Sequence, residues 1–152
     1  MTMKYFTIIV LMVIALAGCS KDDDTDWMAV DDEIIKEHLE KNNLEAEKHH
    51  SGIYYNIIKE GSGANPSSNS TVSVRYEGRL LNGHVFDNGQ GRVQTFPLYG
   101  VIKGWQICIP WLIRGGKGTF YIPSELAYGK KSPGSIPAHS VLVFDVELVD
   151  FE

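Results

Sequence analysis

The chain has 152 residues, a formal net charge of −5 at pH 7 and 43% hydrophobic residues. That length accommodates one globular domain with accessory segments and not two ordinary domains. The charge is unevenly placed: residues 21–50 hold eleven Asp/Glu against four Lys/Arg, whereas residues 51–152 hold eight against nine, so the acidity belongs to one segment and no basic nucleic-acid footprint is present.

Lys4 precedes an almost unbroken apolar run from Tyr5 to Leu16, and Ala17-Gly18 supplies small residues directly before Cys19. A positive flank, a short apolar stretch and a small-residue site read as a secretory signal peptide over residues 1–18. The run falls short of the roughly 20 apolar residues that a spanning helix needs. Leu16-Ala17-Gly18-Cys19 resembles the bacterial lipobox, whose cysteine is acylated and becomes the new N-terminus. A lipidated acidic tether over 19–30 is therefore expected, held to the membrane by its acyl chains alone. Ser20 follows Cys19, and Ser20-Lys21-Asp22-Asp23-Asp24 resembles an address for the outer membrane, on its periplasmic side or at the cell surface. Cleavage leaves Cys108 as the sole thiol, and its neighbours Trp105, Ile107, Ile109 and Trp111 suggest a small buried hydrophobe.

Asp31-Asp32-Glu33 offers an N-cap and first-turn acids for a helix through Lys41, within a helical extension spanning 31–50. Ile35 and Leu39 give this helix a short apolar stripe, expected to dock on its own domain. His49-His50, with His38 nearby, lacks a second cluster of ligands, so an exposed pair in a turn is expected and no metal.

From Gly52 the pattern changes to period 2, as in half-buried strands. Ile53, Tyr55 and Ile57 share one face, and Gly61-Ser62-Gly63 ends the strand. After a loop over 62–71, Val72, Val74 and Tyr76 share a face, and Asn82-Gly83 marks a tight turn. Strands are expected over Val93–Leu98, Lys117–Ile122 and Val141–Phe151, the last with Leu142, Phe144, Val146 and Leu148 toward the core. A helix is expected over Val101–Ile107, ending before Pro110, and Ser132-Pro133-Gly134 reads as a hairpin tip. The fold class is α+β: a small antiparallel sheet with one short helix to cover it.

VRYEGRL at 74–80, NGHVFD at 82–87, VIKGW at 101–105, GGKGTFYIPSELAYG at 115–129 and GSIPAHSVLVFDVELVDFE at 134–152 occur in order. Together they make Gly52–Glu152 resemble the FKBP-type immunophilins. The resemblance implies a twisted antiparallel sheet wrapped around the short helix, with an isomerase domain over 51–152. It implies a proline-binding pocket with Trp105 as floor and Tyr76, Phe86, Val101, Ile102 and Phe144 as walls. Ile102 would also offer its backbone N–H, Tyr128 its phenol, and Ile136 would lean over the rim. Asp87 would be a single buried carboxylate held by Tyr76 and Arg92, and Phe96 a further wall or neighbouring core. The segment between Phe86 and Trp105 is a few residues shorter than the family's usual length, and no flap domain interrupts 129–139.

Such a constellation suits rotation about an X-Pro bond, whose barrier is about 18–20 kcal/mol. No covalent bond breaks, so neither nucleophile nor cofactor is required. A dry apolar cavity with a few aimed donors can favour the twisted amide. Two functions follow: peptidyl-prolyl cis/trans isomerisation assisting secreted or outer-membrane proteins to fold, or binding of proline-containing polypeptide segments without turnover. Macrolide inhibitors are possible ligands of either.

Overall fold

The computed structural model describes residues 24–152. The signal peptide, Cys19 and the start of the acidic tether lie outside the described residues. Two helices and seven strands follow in chain order: α1 (Trp27–Lys41), β1 (Glu47–Lys48), β2 (Tyr54–Lys59), β3 (Thr71–Leu80), β4 (Val85–Asp87), β5 (Gln94–Pro97), α2 (Lys103–Cys108), β6 (Lys117–Ile122) and β7 (Leu142–Phe151). The strands form one antiparallel sheet in the order β1-β2-β6-β7-β3-β4, with β5 also on β3.

The alternation in β2, β6 and β7 gives the sheet two apolar faces. On one face Val72, Val74, Phe120, Ile122, Leu142, Phe144, Val146 and Leu148 pack with Trp105, Cys108 and Ile109. On the other, Tyr54, Tyr121, Val141 and Val143 receive Ile35 and Leu39 of α1. The stripe read from the sequence thus docks α1 on its own domain. Gly104 sets how closely α2 approaches the sheet: a Cβ there would lie 2.4 Å from Ile122 Cγ2. Cys108 is fully buried, and burial pushes its thiol well above the ordinary range.

Several expected boundaries are corrected. α1 begins at Trp27 with Asp26 as N-cap, its side chain accepting from the Ala29 N–H at 3.1 Å. Residues 27–30 are therefore helix rather than tether. Asp31 and Asp32 lie past the first turn and face the domain. Asp31 is fully buried, and Asp32 takes Lys36, Lys48 and the Tyr54 hydroxyl at 2.9, 2.7 and 2.7 Å.

α2 starts at Lys103, because Val101 and Ile102 keep extended ψ angles of 175° and 150°. The helix does end before Pro110: α2 stops at Cys108, and Pro110 sits inside a following 3₁₀ turn over Ile109–Trp111. Its missing donor is harmless at that position. Ser132-Pro133-Gly134 lies midway along the connection between the antiparallel partners β6 and β7, whose last pair is Ile122 and Leu142, so the hairpin is as expected but its connection is long rather than tight. Residues 123–141 form an irregular loop in which Gly129, Gly134 and His139 have φ values of 55°, 57° and 54°.

His49 and His50 lie in a turn as expected, with ring centroids 3.9 Å apart. Among the described residues no group of three metal-binding side chains occurs, and no helix is long and apolar enough to cross a membrane.

Candidate functional site

A cavity of about 560 Å³ opens between α2, the end of β3, β4 and β5, and the 123–141 loop. Each element contributes for a local reason. β3 is paired along its length with β7 on one side, but on the other with β5 at Thr71–Val74 and β4 at Gly78–Arg79. Six residues, 88–93, join Asp87 to Gln94, while only three of β3 lie between their partners Gly78 and Val74. The excess forms a 3₁₀ turn over Gly89–Gly91 whose buried Gly89 packs beside the Tyr76 ring, and the Tyr76 backbone stays unpaired on that side while its side chain lines the cavity.

Trp105, 4% exposed, lies on α2 at the cavity floor, and its Nε1 has no hydrogen-bond partner among the described residues. Around it the rings meet edge to face. Tyr76, Phe96 and Phe144 lie 5.1, 5.9 and 5.3 Å from Trp105 between centroids, at 89°, 81° and 77°. Phe86 stands 5.6 Å from Phe144 at 83°. Such offsets suit the ring quadrupoles and lock the walls. Gly78 makes room for them, since a Cβ there would fall 2.6 Å from Phe144 and 2.7 Å from Phe86.

The polar groups are few. Tyr76 donates its phenol hydrogen to Asp87 Oδ2 at 2.6 Å, and Asp87 Oδ1 accepts the Gly89 N–H at 3.0 Å. Burial, and then Asp87, push the Tyr76 phenol well above the ordinary range. Ile102, the N-cap of α2, accepts from Gln106 N–H through its carbonyl, while its own N–H makes no hydrogen bond within the described residues. Tyr128, 38% exposed, stands on the 123–141 loop with no protein partner for its hydroxyl among those residues.

The cavity thus brings together Tyr76, Phe86, Asp87, Phe96, Val101, Ile102, Trp105, Tyr128, Ile136 and Phe144. Two expectations are corrected. Asp87 is exposed rather than buried, because β4 is an edge strand only three residues long. Arg92 neither lines the cavity nor pairs with Asp87: it lies past the Gly89–Gly91 turn and is exposed. Phe96, left open in the sequence, is a wall. Gly100, Pro133, Gly134 and Ser135 also line the cavity. Of these, Pro133 and Gly134 read from the sequence only as turn residues, and Gly100 and Ser135 gave no signal of their own.

The model of the FKBP-type peptidyl-prolyl cis-trans isomerase family matches residues 63–149, more than half of the chain. The chain belongs to that family. It is 46% identical over 104 residues to the FKBP-type peptidyl-prolyl cis-trans isomerase FkpA of Aeromonas hydrophila, covering 67% of this chain and 39% of that protein. It is 42% identical over 102 residues to the peptidyl-prolyl cis-trans isomerase Mip of Coxiella burnetii, covering 65% and 44%. The chain thus spans roughly two fifths of the length of these curated relatives. The crystal structure of FkpA from Escherichia coli superposes with a TM-score of 0.73 at 40% identity, covering 82% of this chain and 61% of the other. A peptidyl-prolyl cis-trans isomerase from Pseudomonas syringae gives 0.71 at 30% identity, covering 82% and 96%.

Proposed function

We propose that the chain is a peptidyl-prolyl cis/trans isomerase acting on proline-containing segments of polypeptides outside the inner membrane. The observation that carries this reading is the cage of five rings, floored by Trp105, with the Ile102 N–H and Tyr128 hydroxyl left unpaired by the protein. The proline ring enters over Trp105. The Ile102 N–H and the Tyr128 phenol bond carbonyls of the flanking chain. The X-Pro amide, stripped of water, holds less charge separation and twists more readily. An acceleration of about a million-fold requires roughly 8 kcal/mol, about 1.4 per factor of ten. Asp87 orients Tyr76 and transfers no proton.

The N-terminal sequence supports a lipoprotein anchored at Cys19 to the outer membrane, with secreted or outer-membrane proteins as clients. Macrolides of the family's inhibitor class belong to the same cavity. A rate assay on proline-containing tetrapeptides tests the activity. Catalysed exchange abolished by Trp105→Ala is expected, and tight peptide binding without acceleration would instead mark a binding module.

A further inference from the structure

Helix α1 grips the loop that presents Tyr128 at two points. Asp31 is fully buried, and its Oδ2 accepts both the backbone N–H and the hydroxyl of Ser124, each at 2.7 Å. One turn earlier on the same helix face, the Trp27 indole stacks on His139 with centroids 3.7 Å apart and planes at 14°. Ser124 and His139 in turn bracket Tyr128. The Ser124 carbonyl accepts the N–H groups of Ala127 and Gly129 at 3.0 and 2.8 Å, and the His139 N–H donates to the Gly129 carbonyl at 2.7 Å. The residues on either side of Tyr128, Ala127 and Gly129, are thus tied to the two residues that α1 holds.

Docking alone does not require this arrangement. Ile35 and Leu39 already give α1 an apolar stripe against the sheet. A buried carboxylate is unfavourable unless it is hydrogen-bonded, and Asp31 Oδ1 has no partner among the described residues. An acid there, aimed at the residue that opens the Tyr128 turn, does something an apolar residue could not: one carboxyl oxygen fixes a backbone amide and a hydroxyl at once.

We propose that Asp31, supported by Trp27, is a positioning residue for the isomerase site. It fixes Ser124 and thereby holds the Tyr128 phenol over the cavity. The inference rests on the reading of Tyr128 as a donor to the substrate carbonyl. α1 is accordingly part of the enzyme's working structure, though it lies on the opposite face of the sheet from Trp105.

The test uses the full chain with Asp31→Ala, Asp31→Asn, Tyr128→Phe and the double variant Asp31→Ala/Tyr128→Phe, assayed well below their melting temperatures. Misplacing a working group by about 1 Å can cost about 100-fold, so Asp31→Ala should lower kcat/KM by about 10- to 100-fold. Asp31→Asn keeps an oxygen able to accept both Ser124 bonds and should restore most of the activity. In the Tyr128→Phe background, Asp31→Ala should cost little more, because residues coupled through one hydrogen-bonded unit, here by way of Ser124, are not additive. Amide hydrogen exchange should quicken at Gly129 and His139 in Asp31→Ala and stay unchanged in β3 and β7. If Asp31→Ala does not fold, Trp27→Ala is read through the same two measurements by way of His139. Losses that multiply in the double variant, or unchanged exchange at Gly129, would overturn the inference alone. A fully active Tyr128→Phe would overturn the reading of Tyr128 and the inference with it.

Discussion

The hydroxyl of Tyr76 lies 2.6 Å from Asp87 Oδ2, while its ring stands perpendicular to Trp105 with centroids 5.1 Å apart. One side chain therefore joins the polar edge of the cavity to its apolar floor. Because the phenol is held above its ordinary range by burial and then by Asp87, it remains a donor to the carboxylate throughout the physiological range. The Tyr76 phenol therefore exchanges no proton near neutrality.

Turnover should therefore change little between about pH 6 and 8, since rotation about the amide moves no proton. Initial rates on one tetrapeptide across that interval check this. A sigmoid centred near the ordinary histidine pKa of about 6.5 would contradict it.

Phe144→Ala and Asp87→Ala should separate. Phe144 is 5% exposed and touches Trp105, Phe86 and Tyr76, so its loss should cost about 3–5 kcal/mol of stability together with activity. Asp87 is exposed on an edge strand, and surface substitutions usually stay within about 0.5 kcal/mol. Asp87→Ala should fold normally and turn over more slowly, because Tyr76 loses its tether. Urea unfolding and rate assays on both variants measure the two effects.

Side chains that report through period 2 were legible without coordinates. Tyr55 and Ile57 face one layer and Tyr54 the other, and Val143 and Phe144 divide in the same way. The aromatic walls were legible as well, through ordered motifs in which each ring has a fixed place. What escaped depends on partners distant in sequence. Asp31 reads as a helix-capping acid until Ser124, 93 residues later, is placed against it. Trp27 reads as tether until His139 is beneath it. Arg92 and the exposure of Asp87 were misplaced because the 88–93 excursion is set by strand register, and a two-residue strand such as β1 is too short to show a period.

Stability should fall in acid partly through Asp32. Burial alone would raise its carboxyl, but Lys48, Lys36 and the Tyr54 hydroxyl outweigh it and hold the group well below the usual carboxylate range. The folded value thus lies below the unfolded one of about 3.9, so the unfolded chain binds more protons there. The contribution is complete above about pH 5 and is lost as pH falls from there toward the folded value. Unfolding free energies of the parent and Asp32→Asn should differ most at neutral pH, and the gap should narrow progressively as pH falls below about 4. A gap that persists unchanged into acid would remove Asp32 as the cause.

A macrolide of the family's inhibitor class should bind over Trp105 and perturb its fluorescence, competing with peptide. No residue of 88–93 lines the cavity and Arg92 stays clear of it, so the floor remains open to a large ring. Isothermal titration showing no heat, alongside normal peptide turnover, would locate the obstruction at the rim formed by 133–136 rather than at the floor.

The start of α1 bears on the proposed anchor. With Asp26 as N-cap, the tether from Cys19 comprises residues 19–26, and even fully extended it reaches only about 25 Å at roughly 3.3 Å per residue. The domain would then stay close to the bilayer, free to turn but confined to polypeptides near the surface. Several acyl chains are needed for stable anchoring, and in the proposed anchor the acids at Asp22, Asp23 and Asp24 would keep the tether from adhering to anionic headgroups. Palmitate labelling should mark the parent and not Cys19→Ala, which should be released from membranes with its isomerase activity intact. Protease shaving of whole cells, with a periplasmic protein as control, then distinguishes the cell surface from the periplasmic side. Replacement of Lys21, Asp22 and Asp23 by alanine should leave labelling unchanged and abolish shaving if those residues form the address. Unchanged exposure of that variant would reduce them to a spacer, and a Cys19→Ala protein still bound to membranes would refute the anchor.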